Sequence, residues 1–372
     1  MKQLTNPLTI SSAGTRREIH SIHFGAAGTG PKVYIQASLH ADELPGMLVA
    51  QHLRRHFAAL EVAGKIIGEI VLVPVANPIG LSQNLLGMSV GRFDVRNGQN
   101  FNRSFHQLVP RLIEILSGRL GPDPQHNVAL IRDAIRQLLA FETPLDDADS
   151  QRLTLMRLAA DADIVLDLHC DCESVAHMYV GTPLWSEAEP LARLFGARAV
   201  LLATESGGDP FDEACSRIWW ELREHFDTIA PVPLACLSAT LELRGLGDVR
   251  HDLAARDAQA IVSFLTLRGV IDGPVPTLPA LQCEPTPLAG SIPLVAPSAG
   301  LVVYLREPGE LVKINEPLVE IIDPLSGDLT KIGSPVDGVF YARENRRYVS
   351  GGTRIGKVAG HQSLRTGTLL SA

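Results

Sequence analysis

The sequence predicts an α/β protein, a mixed sheet flanked by helices, followed by a small all-β sandwich or barrel. Three observations carry this. Short β-rich runs alternate with helical ones through the first 270 residues, the pattern of an α/β layer architecture with a mainly parallel or mixed sheet. Residues 162–170 (ADIVLDLHC) and 233–243 (PLACLSATLEL) are nearly continuous apolar runs, as expected of strands covered on both faces. Composition then changes near residue 272, and only short β-like segments with Gly and Pro turns follow.

Residues 32–40 (KVYIQASLH) read as a strand and 43–60 as the helix after it. A second strand spans 69–78 and is stopped by Asn77-Pro78. In 127–141, Val128, Ile131, Ile135 and Leu138 share one helical face. Residues 272–293 carry six prolines, which suits an extended connector. The expected division is therefore a first domain over 1–273, a Pro-rich linker over 274–290 and a β domain over 291–372. That last unit repeats itself: Pro297/Pro335 and Gly300/Gly338 are offset by 38, and Leu318/Ile355 and Ile321/Val358 by 37. An internal repeat of this size indicates a two-fold β-sandwich or barrel.

Hydrophobic content of 45% with 20% charge is that of a globular chain. A net charge of −8 argues against nucleic acid or an anionic membrane as the main partner. It leaves room for an anionic small molecule met by a local arginine cluster. The first twenty residues lack the apolar core of a signal peptide, and no run approaches the roughly 18 apolar residues of a membrane span. Five cysteines without regular spacing do not make a disulfide framework. The expectation is a soluble, cytoplasmic protein; assembly into a homo-oligomer is left open.

The chemistry gathers where strands run out. His40 and Glu43 are spaced i, i+3, so one tight turn can aim both at a single point. An imidazole and a carboxylate are two ligands that zinc prefers, and a catalytic zinc takes three protein ligands while keeping a position for water. The third candidate is His169, which also ends an apolar strand, at the edge where α/β sheets place their sites. Asp167 shares its strand face and would orient the imidazole. Cys170 and Cys172 are rival ligands, less usual beside a His/Glu pair. Arg92, Arg96 and Arg103 fall within twelve residues of one polar loop, 91–105, a candidate patch for binding a carboxylate and polarising a carbonyl. Glu242 sits at the end of an apolar strand, where a charge is costly unless paired or functional. Two readings stand for it: an ion pair with Arg244, or a general base.

Taken in order, His40-x-x-Glu43, Asn100-Phe101-Asn102-Arg103, Asp167-Leu168-His169 and the strand-end Glu242 resemble the succinylglutamate desuccinylase/aspartoacylase family of the zinc carboxypeptidase clan. The resemblance spans about 30–270 and implies a zinc-carboxypeptidase-like sheet; the C-terminal repeat resembles the β-sandwich of many members. It implies one zinc ion held by His40, Glu43 and His169. Arg92 matches the arginine that polarises the scissile carbonyl, Asn102 and Arg103 the pair that holds the substrate carboxylate, and Glu242 the catalytic glutamate. Two departures stand out: Asn100 replaces an aspartate, and Cys170-Asp171-Cys172 follows the third ligand. The implied activity is deacylation of an N-acyl amino acid or a related small carboxylate. A carboxypeptidase acting on peptides is the alternative. A non-catalytic carrier is the third reading, since the repeat also resembles biotinyl and lipoyl carriers, but Lys331 lacks the carrier's flanking motif.

Overall fold

The computed structural model describes residues 1–370. Nine strands form the large sheet, in the spatial order Lys2–Pro7, Glu18–Gly25, Glu69–Val73, Lys32–Ala37, Ile164–Asp171, Leu237–Gly245, Ala176–Gly181, Ala199–Ala203 and Pro285–Pro287. Strands 69–73, 32–37, 164–171 and 237–245 are mutually parallel, and the Ala176–Gly181 strand runs antiparallel to the last of them. The sheet is thus mixed, as its sequence pattern predicts.

Alternate residues of each central strand enter different cores, because side chains in a strand point to opposite faces. Val33, Ile35, Leu72, Leu166 and Leu241 pack beneath the helices Pro45–Val62, Trp185–Phe195 and His251–Leu267. Tyr34, Val71, Val73 and Val165 pack on the other side with the helices Val109–Leu116, Pro124–Phe141, Asp147–Ala159 and Phe211–Phe226. Both faces are dry, which explains the unbroken apolar runs. On the second face the parity also carries Gln36, Asp167, His169, Thr240 and Glu242. Gln36 and Asp167 are tolerated there because they bond each other, with Tyr34 bonding Gln36, and His169, Thr240 and Glu242 line a cavity.

The Pro-rich segment is not only a connector. Residues 285–287 add a parallel strand to the large sheet beside Ala199–Ala203, pairing Val200 with Pro285 and Leu202 with Pro287. This is the sheet edge, where a proline's missing N–H breaks no ladder.

Beyond it lie two antiparallel sheets, each with four strands from this part of the chain. One has the order Ser291–Val295, Arg354–Gly360, Gly338–Arg343, Glu310–Val312; the other Leu329–Gly333, Pro317–Ile322, Gly300–Tyr304, Tyr348–Val349. The repeat offset carries Gly300–Tyr304 and Pro317–Ile322 of the second sheet onto Gly338–Arg343 and Arg354–Gly360 of the first. It carries Ser291–Val295 and Glu310–Val312 of the first onto Leu329–Gly333 and Tyr348–Val349 of the second, so the repeat is a pseudo-two-fold that exchanges the sheets. Leu318, Ile321, Phe340, Ile355 and Val358 fill the space between them. Lys331 lies inside a strand, 3.7 Å from Glu320, rather than at a hairpin tip.

This sandwich is stitched to the chain just after His169. Residues Glu173–Ser174 pair with the strand Gly338–Arg343, and Glu173 accepts from Arg343 and Arg347 at 2.6 and 2.8 Å. Lys357 donates to Asp171 at 2.5 Å. Among the described residues no helix is long and apolar enough to cross a membrane.

Candidate active site

The strand Lys32–Ala37 ends when Ser38 takes a left-handed φ of 65°. The chain then folds into a turn in which the Glu43 amide donates to the His40 carbonyl at 3.1 Å. Pro45 opens the following helix at its first turn, where its missing N–H costs nothing. Gly46 lets that helix approach the sheet: a Cβ there would lie 3.0 Å from the Leu168 carbonyl and 3.1 Å from Ala37 Cβ. Gly91 plays a similar part opposite the turn. Its carbonyl accepts from Ala41 at 3.0 Å, and a Cβ would meet the Asp42 nitrogen at 2.4 Å. This contact delivers Arg92 to the ligand turn.

His40 Nδ1 lies 2.8 Å from Glu43 Oε1, and His169 Nδ1 lies 2.8 Å from Glu43 Oε2. The Cys170 amide also donates to Oε2, at 3.0 Å. All three residues are at most 5% exposed, and their donor atoms lie within 4.8 Å of one another. The far nitrogens of both rings are held from behind. His40 Nε2 is 2.8 Å from Asn100 Oδ1, so the amide carbonyl takes the orienting place that an aspartate would fill. His169 Nε2 lies 2.9 Å from Asp167 Oδ2, off the line of a good hydrogen bond. Asp167 is itself braced by Gln36 at 3.0 Å, and Gln36 by the Tyr34 hydroxyl at 2.8 Å.

Electrostatics divides the two histidines. Burial, with Arg92 beside it, lowers His40 to about 4. Burial pulls His169 down as well, but Asp167 and Glu43 outweigh it and hold its pKa well above the usual value. Glu43 is held well below the usual carboxylate range because its two imidazole neighbours outweigh burial. The cluster thus sustains positive charge between buried carboxylates. Two oriented imidazole nitrogens and a carboxylate fit a zinc ion by donor chemistry.

Glu242 pairs in register with His169 on one side and His177 on the other, so its side chain emerges on the same face as the third ligand. Its Oε2 is buried without a hydrogen-bond partner among the described residues. Burial first, then the Glu43 charge, raises it to about 8. It does not pair with Arg244. That residue adopts φ 70° at an irregularity of the strand and turns to Asp257, donating to Oδ1 at 3.2 Å. The ion-pair reading of Glu242 fails on this backbone geometry.

Arg92 donates to Glu43 Oε1 at 3.1 Å and lines a cavity of about 690 Å³ with His40, His169, Asn102, Arg103 and Glu242. Asn102 is fixed at both ends: its amide donates to Asn100 Oδ1 at 2.8 Å, and its Oδ1 accepts from the Phe211 amide at 2.9 Å. Arg103 follows, donating to the Asn102 carbonyl at 2.6 Å. Arg96 is not brought to the cavity. It bonds Asp94 at 2.6 Å and Asp147 at 2.7 Å, so its expected substrate contact is replaced by a loop-bracing role. The 91–105 loop reverses between Arg92 and Arg103, and the intervening arginine points back to the second-face helices.

Several cavity residues have no strong signal in the sequence. Tyr341, Arg354 and Lys357 reach it from the sandwich, and Asp212 and Glu213 from the start of the helix Phe211–Phe226. An acidic pair in a first helical turn reads as routine, and a lone lysine in a β segment reads as surface. Asp171 is the one hint: it follows the third ligand by two, and its counter-charge is Lys357.

Residues 29–109 match the family model of the succinylglutamate desuccinylase/aspartoacylase catalytic domain, a span that contains His40, Glu43, Arg92, Asn102 and Arg103. Among solved structures, the chain is similar to a protein of Shewanella amazonensis assigned to that family, with 28% identity and a TM-score of 0.84 over 96% of this chain and 98% of that one. A protein of Shewanella frigidimarina assigned to the same family is similar at 27% identity and a TM-score of 0.84, over 96% of this chain and 97% of that one. A Rhodobacter sphaeroides succinylglutamate desuccinylase/aspartoacylase shares the fold at 17% identity, with a TM-score of 0.67 over 97% and 96% of the two chains. No curated protein sequence matches the chain. The matched span and the fold agree: residues 29–109 are similar to the catalytic domain of this family, and the whole chain is similar in fold to proteins assigned to it.

Proposed function

We propose that this protein is a zinc-dependent hydrolase that cleaves the amide bond of an N-acyl amino acid or a similarly small carboxylate-bearing substrate. One observation carries the reading. The buried donors of His40, Glu43 and His169 converge within 4.8 Å, at the cavity that Glu242, Arg92, Asn102 and Arg103 also line.

Zinc, when bound by those three residues, supplies a Lewis acid and lowers the pKa of water from about 15.7 toward about 7. Glu242 accepts a proton from the attacking water at Oε2 and passes it to the leaving amine. The Arg92 guanidinium stabilises the negative charge that develops on the carbonyl oxygen. Asn102 and Arg103 fix the substrate carboxylate; the bonds of Asn102 to Asn100 and Phe211, and of Arg103 to the Asn102 carbonyl, keep that clamp rigid. A cavity walled on one side by Tyr341, Arg354 and Lys357 supports a small substrate over a long peptide.

The test is a panel of N-acyl amino acids and blocked peptides offered to zinc-loaded protein. Turnover of the small amides is expected to dominate. Turnover of peptides alone would favour a carboxypeptidase, and turnover of neither would overturn the hydrolase reading.

A further inference from the structure

Two carboxylates of the cavity wall take no part in the chemistry above. Asp212 and Glu213 occupy the first turn of the helix Phe211–Phe226, and each is only 9% exposed. Glu213 Oε1 accepts from the Ser206 amide at 2.9 Å, while its Oε2 is covered and, beyond the nearby Ser206 side chain, has no hydrogen-bond partner among the described residues. Asp212 takes a hydrogen bond from Thr240.

Neither forms an ion pair within 4.0 Å among the described residues; the cation whose charge reaches both is Arg103, the residue assigned above to the substrate carboxylate. Arg217, one turn further along the helix, is engaged by Glu205, Asp209 and Glu221 instead. A first helical turn favours acidic side chains through the helix dipole. The dipole serves an exposed acid equally well, so it does not account for burying two acids side by side. Buried carboxylates are otherwise paired or bonded. Burial and the charge of Asp167 raise Asp212 to about 6, and burial and Asp212 raise Glu213 to about 7. A cation arriving in the cavity would relieve both.

Position says which part of a substrate brings that cation. Asn102 Oδ1 is anchored on the amide of Phe211, the residue before Asp212. The carboxylate clamp and the acid pair are therefore fixed to one helix start.

We propose that Asp212 and Glu213 form a cation subsite of this cavity that takes an ammonium group on the amino-acid half of the substrate. The favoured substrate class is then the N-acyl derivative of a basic amino acid, whose carboxylate and side-chain ammonium meet charges of opposite sign on the same wall. This rests on the amide-hydrolase reading above.

The test compares Nα-acetyl-L-ornithine with Nα-acetyl-L-norleucine, which replaces the ammonium by a methyl group. Binding to the metal-free full chain is measured by calorimetry, and kcat/KM is measured in parallel with zinc-loaded protein. The ornithine derivative is expected to bind on the order of tenfold tighter, the worth of a charge-assisted hydrogen bond. Asp212→Asn and Glu213→Gln should each bring that ratio toward one by weakening the ornithine derivative, with the norleucine derivative as internal reference. Should a variant fail to fold, the wild-type ratio still decides. Equal affinities in the wild type, or no binding of either compound, overturn the subsite. Preferential binding without hydrolysis would keep the subsite and reject the amide-hydrolase reading; equal hydrolysis with equal binding would do the reverse.

Discussion

Replacing Glu242 by Gln should make the metal-free protein more stable and the zinc-loaded protein nearly inactive. The carboxyl titrates at about 8 in the fold, against an ordinary 4.5. An acid whose folded pKa is raised binds its proton more tightly in the native state, so it costs no stability below the unfolded value. The cost grows as pH rises from 4.5 and levels off above 8. At about 1.4 kcal/mol per pH unit, the wild-type carboxyl destabilises the metal-free fold by about 1 kcal/mol near pH 5 and by about 3 kcal/mol near pH 7. Gln keeps the shape and one hydrogen-bond acceptor but cannot ionise, so Glu242→Gln should recover most of that difference. The assay is urea unfolding of both metal-free proteins at the two pH values, with the midpoint gain larger at the higher pH. Without a general base, turnover should fall on the order of 10²–10⁴-fold, with zinc content unchanged. A pH-independent stability difference would refute the buried, uncompensated carboxyl. An active, zinc-loaded Glu242→Gln protein would refute the base and leave the metal site standing.

Three further outcomes are expected. His40→Ala and His169→Ala should each abolish stoichiometric zinc by metal analysis; full retention in both rejects the ligand set. Arg96→Ala should leave KM for a small N-acyl amino acid unchanged and lower stability by about 0.5–1 kcal/mol, since its pairs with Asp94 and Asp147 are half exposed; a large rise in KM would restore it to the substrate site. A chain ending at Gly273 loses the edge strand Pro285–Pro287 and the wall holding Tyr341 and Lys357. It should be inactive and prone to association, and a monomeric, fully active product would show that the sandwich has no part in the site.

Residue order alone determined what depends on local periodicity. Alternating β-rich and helical runs specified the mixed sheet, because two dry faces require unbroken apolar strands. The same period of two placed His169 beside Asp167 and set the strand-end position of Glu242. The i, i+3 spacing of His40 and Glu43 sufficed because a single turn joins them. The 38-residue offset announced the two-fold sandwich, since equivalent strands must bury equivalent residues. Where local geometry departs from its period, the sequence misleads. Parity puts Arg244 beside Glu242, but the left-handed φ at Arg244 sends it to Asp257. The loop 91–105 has no period at all, so only the Gly91–Ala41 contact decides that Arg92 enters the cavity while Arg96 turns away. The tertiary structure alone decided what joins distant segments. Lys357 meets Asp171 across 186 residues, and Asp212 and Glu213 join the cavity because Phe211 is hydrogen-bonded to Asn102 across 109. Such pairings leave no trace in spacing, because long-range contacts are selected by packing and charge balance in the finished fold.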